Sequence, residues 1–150
     1  VIAVAVEDPG QPEILRMLEA GEAHSASLYP AESNHHLPLE ALRAPGVLFH
    51  VARDKAGQAL GTGAIVLKGD WAEIKRMWTD PTARGRGVAA LVLRRLEEQA
   101  VARGVRVLRL ETGIHSHPAL ALYRRSGFVE IAAFEGYAPD PLSVFMEKHL

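Results

Sequence analysis

The chain has 150 residues, 48% hydrophobic and 23% charged, the size and balance of one globular domain that can bury a core unaided. Its 17 basic and 18 acidic side chains leave a formal charge of −1, so no general attraction to nucleic acid or to an anionic membrane is expected. The absence of cysteine excludes disulfides, thiolate zinc sites and a cysteine nucleophile.

The opening run Val1 to Val6 is apolar but only six residues long, and Glu7-Asp8-Pro9 follows at once. That is too short for a signal peptide or a membrane span; it reads as a strand, and a cytoplasmic location is expected. Because the chain does not open with Met, a few residues are expected to precede Val1. Pro12 to Ala26 reads as a helix, with Pro12 in its first turn and Ile14, Leu15 and Leu18 on one side. Three prolines and two histidines in residues 29–45 predict a mobile loop that passes into a short helix around Leu39 to Arg43.

Val47 to Arg53, Gln58 to Leu67 and Ala72 to Thr79 read as strands. The turns Asp54-Lys55-Ala56-Gly57 and Lys68-Gly69-Asp70 join them into an antiparallel meander. The pattern then changes. A loop, Asp80 to Ala83, and the segment Arg84-Gly85-Arg86-Gly87-Val88-Ala89 lead into a helix over about Val88 to Arg103. Its apolar stripe is Val88, Ala89, Val92, Leu93, Leu96 and Ala100, and Gly104 stops it. Val105 to Glu111 reads as a strand parallel to the one before the helix, because the two enclose a crossover unit. A short helix follows, with Ser116 as its cap, Pro118 in its first turn and Gly127 at its end. Phe128 to Ala133 and Ser143 to His149 are closing strands around a loop holding Gly136, Pro139 and Pro141. The expected fold is α/β: one domain over residues 1–150, with a mixed sheet of six or seven strands and helices on both faces. The meander comes first and the parallel strand–helix–strand unit second.

The segment Arg84 to Ala89 is suited to a phosphorylated ligand. Glycines let backbone amides turn toward an anion, a helix start adds free N–H groups and a positive dipole end, and the arginines add forked donors. Gly85-Arg86-Gly87-Val88-Ala89-Ala90 also fits the dinucleotide fingerprint, and Glu111, 26 residues after Gly85, stands near where a ribose-binding acid belongs. Against a nicotinamide-binding protein stand the antiparallel meander upstream, a strand that ends several residues before the first glycine, and too little chain for a second half. No P-loop pattern occurs.

Three elements carry a resemblance. Arg84-x-x-Gly87-x-Ala89 resembles the pyrophosphate loop of the GNAT family of N-acetyltransferases. Ala119-x-x-Leu122-Tyr123-x-x-x-Gly127-Phe128 resembles a second family element, and Glu73, eleven residues before Arg84, a third. The resemblance is strong over about residues 71–128. It implies a GNAT fold and acetyl-CoA as cosubstrate. The pyrophosphate would lie on Arg84, Gly85, Arg86, Gly87, Val88 and Ala89, and the pantetheine arm along Met77, Trp78 and Thr79 where two parallel strands splay apart. Ser116 stands where the family often has an Asn that contacts the cofactor. The implied activity is direct acetyl transfer to a primary amine of a small molecule or a protein, by a monomer or homodimer. A non-catalytic acyl-CoA-binding module on the same fold is the alternative.

An amine near pKa 10.4 must lose a proton before it attacks a thioester. The resemblance makes Glu73 the general base, acting through a water, and Tyr123 the general acid for the leaving thiolate. Read as residues alone, Glu73 is equally a solvated charge beside Asp70 and Lys75, and Tyr123 a core aromatic. The acceptor is expected between the variable segments that hold Tyr29, Glu32 and His35 and those that hold Tyr137 and Asp140; Glu32 and Asp140 would attract a cationic amine. His115 lies just past a strand end as a substrate contact or alternative base. The seven histidines show no metal-ligand spacing, so no metal is expected.

Overall fold

The computed structural model describes all 150 residues. Its strands are β1 (Ala3–Val6), β2 (Val47–Arg53), β3 (Ala59–Leu67), β4 (Trp71–Thr79), β5 (Val107–Gly113), β6 (Val129–Ile131) and β7 (Ser143–His149). They form one sheet in the order β1-β2-β3-β4-β5-β7-β6. All neighbours are antiparallel except β4 and β5. The helices are α1 (Pro12–Leu28), α2 (Leu39–Leu42), α3 (Val88–Ala102) and α4 (His117–Arg125). None is long and apolar enough to cross a membrane.

Side chains alternate across a strand, so each strand feeds two faces. One face takes α3 and α4: Val92, Leu93, Leu96, Leu120 and Tyr123 pack with Ile65, Ala72, Ile74, Leu108 and Met146. The other takes α1 and α2, where Ile14, Met17, Leu18 and Leu42 cover Phe49, Val51 and Ala64. On β4, Ala72 and Ile74 belong to the α3 face, which leaves Glu73 and Lys75 for the opposite one.

Element ends depart from the sequence reading where hydrogen bonds are needed elsewhere. β5 starts at Val107, not Val105, because the Val105 N–H closes α3 on the Ala100 carbonyl while Gly104 turns at φ 75°. β6 starts at Val129, not Phe128, because the Phe128 N–H is taken by the Tyr123 carbonyl. Ser116 does not cap α4 with its side chain; its hydroxyl lies 3.0 Å from that of Tyr29.

Two irregularities on β4 shape the site. The parallel pairing with β5 lasts only three positions, Trp71↔Val107, Ala72↔Leu108 and Glu73↔Arg109, and the strands then part. Against β3, Thr62 pairs with Trp78 but Ala64 with Lys75, so Arg76 and Met77 together oppose Gly63. This is a β-bulge. Arg76 carries it at φ 59°, the only non-glycine residue with positive φ, a conformation that costs about 1 kcal/mol or more. Its guanidinium is held by the Leu37 carbonyl at 2.9 Å and by Glu22 at 3.1 Å, which ties the bulge to α1 and to the loop before α2.

Candidate active site

The parting of β4 and β5 opens a gap with chemically different sides. Beyond Glu73 the β4 edge that faces β5 has no ladder partner, and such an edge accepts an extended ligand as an added strand. Met77, Trp78 and Thr79 lie on this stretch. The indole of Trp78 leans the other way, onto Gly21 of α1 and the His24 ring 5.5 Å away, and its Nε1 is buried without a partner.

At the far end of β4 the chain turns into α3. Asp80 accepts a bond from the Thr82 N–H at 2.9 Å and fixes the approach. Gly85 and Gly87 follow with φ of 83° and 74°, which favours glycine at both positions. The first bond of α3 runs from Leu91 N–H to the Gly87 carbonyl, and no side chain caps the helix. The Val88, Ala89 and Ala90 N–H groups therefore lack intrahelical acceptors. Val88 is buried and anchors the turn, while Arg84, Gly85, Arg86 and Gly87 are exposed. The Arg84 guanidinium sits over the Trp78 ring at 5.5 Å. Free amides, a positive dipole end and two arginines together suit a pyrophosphate.

On the α1 face of the gap, Glu73 is 6% exposed, a buried carboxylate and not a solvated one. The Tyr137 hydroxyl donates to it. Lys75 Nζ lies 3.4 Å from the same oxygen and donates to the Tyr137 hydroxyl at 2.6 Å and to the His35 carbonyl at 2.8 Å. The His35 ring meets the Tyr137 ring edge-on at 5.1 Å. Burial, then the bond to Glu73, pushes the Tyr137 phenol well above its usual range and keeps it protonated. On β5, Glu111 accepts from the Ser143 hydroxyl at 2.8 Å. Burial raises its pKa, partly offset by that bond.

On the α4 face, Tyr123 is 5% exposed and packs edge-on against Phe128 at 5.7 Å. Burial first, and the Glu111 charge second, push its pKa well up; no hydrogen bond contributes. It is a protonated phenol with its donor uncommitted.

The remaining expected residues divide. Tyr29 is buried at the end of α1, with its ring lying across Gly113 at the end of β5. A Cβ there would come within 2.0 Å of its hydroxyl, so any larger residue would push the Tyr29 ring away. That hydroxyl accepts from the His115 N–H at 3.0 Å, meets Ser116, and its ring stacks on the exposed His115 ring at 5.7 Å. Tyr29, His115 and Ser116 thus form one cluster at the β5–α4 turn. Asp140 accepts from the Leu142 N–H at 2.8 Å and from the Ser33 hydroxyl at 2.7 Å, and these bonds, the first above all, hold its carboxyl below the usual range. It joins the two variable segments to each other. Glu32 is exposed beside this junction.

Sequence reasoning named Lys75 only as a neighbour of Glu73 and gave Glu111 no role on this fold. Their alternation on β4 and β5 was visible; the partners that give them meaning, Tyr137 and Ser143, lie far away in the chain. No three His, Asp or Glu side chains come together as metal ligands.

The mixed seven-stranded sheet with its one parallel pair is an acyltransferase fold, as the comparisons show. Residues 13–128 match the profile of the Acetyltransferase (GNAT) family. The chain belongs to that family and is an N-acetyltransferase. It is 43% identical over 151 residues to IAA acetyltransferase from Azospirillum brasilense, covering 99% of this chain and 98% of that protein. A solved structure from Klebsiella pneumoniae, described as an acyl-CoA N-acyltransferase, superposes with TM-score 0.85 at 38% identity, over 100% of this chain and 98% of that one. PaiA N-acetyltransferase from Thermoplasma acidophilum, solved in complex with coenzyme A, shares the fold at 16% identity with TM-score 0.77, over 100% of this chain and 99% of that one.

Proposed function

We propose that this protein transfers an acetyl group from acetyl-CoA directly to a primary amine of a small molecule or a protein. One observation carries the reading: β4 bears a buried carboxylate, Glu73, at the point where it parts from β5, and the same strand runs on to the anion-ready turn of α3. Acetyl-CoA would supply an acyl group activated as a thioester.

The residues divide the work by position. The N–H groups of Val88 and Ala89, with Arg84 and Arg86, hold the pyrophosphate, and Gly85 and Gly87 leave room for its approach. The free edge of β4 at Met77 to Thr79 aligns the pantetheine arm, and Ser116 stands near the turn at its far end. Glu73 takes the proton from the acceptor ammonium, through a water where reach requires it. Tyr123 directs its hydrogen at the sulfur as charge develops there; a phenol held protonated by burial is a donor that survives until it is needed. With no cysteine in the chain, attack by the amine in a ternary complex is the natural course. Tyr29, Glu32, His35, His115, Tyr137 and Asp140 line or brace the acceptor side. The coenzyme A bound to the Thermoplasma protein supports the choice of cosubstrate.

Calorimetric titration with acetyl-CoA, followed by an amine panel read by free thiol and product mass, tests the reading. Binding and N-acetylation are expected; binding of NAD(P) in place of acetyl-CoA would contradict it.

A further inference from the structure

The Lys75 side chain is only 14% exposed and its ammonium lies inside the candidate site. Around Nζ stand the Tyr137 hydroxyl at 2.6 Å, the His35 carbonyl at 2.8 Å and the Glu73 carboxylate at 3.4 Å, with the centroid of the Tyr137 ring 5.3 Å away. A primary ammonium has three hydrogens to donate. The cage offers three oxygens and an aromatic ring, so each ammonium hydrogen has an oxygen to meet.

The oxygens come from three separate parts of the chain: β4, the segment before α2 and the loop between β6 and β7. The Ser33–Asp140 bond, 2.7 Å long, holds the last two together. An ordinary strand ion pair between Glu73 and Lys75 would need neither loop. Here the ammonium is closer to the loop oxygens than to the carboxylate.

We propose that this cage is a binding site for a primary ammonium group and that Lys75 is its tethered occupant. An incoming amine binds by displacing the Lys75 ammonium, so Lys75 sets a threshold for the acceptor. The stem holds the Lys75 ammonium at an effective concentration that a weakly bound amine cannot match. Only an acceptor with further contacts, to the loops around His35 and Tyr137, displaces it. Secondary and quaternary ammonium groups donate fewer hydrogens and leave cage oxygens unpaired. The inference rests on the reading of Glu73 as the carboxylate that meets the acceptor.

Lys75→Ala removes the occupant and leaves space for a short alkylammonium. Isothermal titration of this variant and of the unmodified protein with n-butylammonium and with tetramethylammonium chloride, in matched salt, tests the site. The expected result is n-butylammonium binding at least about tenfold tighter to Lys75→Ala than to the unmodified protein, no such gain for tetramethylammonium, and loss of most of the gain when Tyr137→Phe is added. Lys75→Ser empties the cage a second way should the alanine variant not fold. Equal n-butylammonium affinity with and without Lys75, or an equal gain for tetramethylammonium, would overturn the proposal. Tight n-butylammonium binding without acetylation in the presence of acetyl-CoA would uphold the ammonium site and count against the transfer reading. Acetylation of amines by a variant that gains no n-butylammonium affinity would do the reverse.

Discussion

The hydroxyl of Tyr137 donates its hydrogen to the carboxylate of Glu73, joining the β6–β7 loop to the middle of the sheet across 64 residues of chain. The candidate base is therefore held by a side chain from a segment expected to meet the acceptor. Whatever binds there must either work around this contact or break it.

Tyr137→Phe keeps the ring among Phe134, Phe145 and His35 but removes the donor. A hydrogen bond to a charged group contributes about 1.5–3 kcal/mol. Urea unfolding should show a loss within that range, and Lys75 loses an acceptor as well. A change in the pH profile of kcat/KM at unchanged KM for acetyl-CoA is expected; a change in acetyl-CoA KM alone would remove Tyr137 from the acceptor side.

Gly87→Ala places a Cβ at φ 74°, a strain of about 1 kcal/mol, and disturbs the first turn of α3. The KM for acetyl-CoA should rise several-fold with kcat largely kept, and Arg84→Ala should act in the same direction. Unchanged acetyl-CoA kinetics in both variants would remove the pyrophosphate from this loop.

Tyr123→Phe removes an uncommitted donor without disturbing the packing on Phe128. A group that acts only as charge develops lowers kcat and leaves KM alone, by roughly 10²-fold for a general acid. Steady-state kinetics at saturating acetyl-CoA give the answer, and wild-type turnover would exclude Tyr123 from the chemistry.

His50 on β2 is 0% exposed and its Nε2 has no partner. Burial lowers its pKa from 6.5, the Leu48 carbonyl opposes the shift, and Arg95 and Arg103 assist it. The unfolded chain then binds this proton more readily than the folded one. Stability is present in full above pH 6.5 and falls as pH drops from there toward the folded pKa. His36 is shifted the same way. Urea midpoints at successive pH values below 6.5 should decline less steeply in a His36→Gln, His50→Gln double variant than in the unmodified protein.

The mixed sheet, the meander and the crossover were legible because periodicity and turn residues are local signals. Thus Gly104 marked the end of α3 and Asp80 to Ala89 the glycine-bearing turn that leads into it. The bulge was not legible, since Arg76 takes a left-handed conformation that nothing in its residue type announces. Nor was the burial of Glu73. A charge between Ala72 and Ile74 reads as a solvated strand position until Tyr137 and Lys75 are seen around it. The same holds for Tyr29: its aromatic character was visible, but its place across Gly113 depends on where the end of α1 meets the end of β5.

The proposed reaction is direct acetyl transfer at the gap between β4 and β5, with Glu73 as base and Tyr123 as acid. Its most direct test is incubation of the protein with acetyl-CoA and a panel of primary amines, with N-acetylated product and free CoA measured together. At least one amine should be acetylated with one CoA released per product, and turnover should fall sharply in both Glu73→Gln and Tyr123→Phe. Acetyl-CoA binding with no amine acetylated, or transfer that survives both substitutions intact, would contradict it.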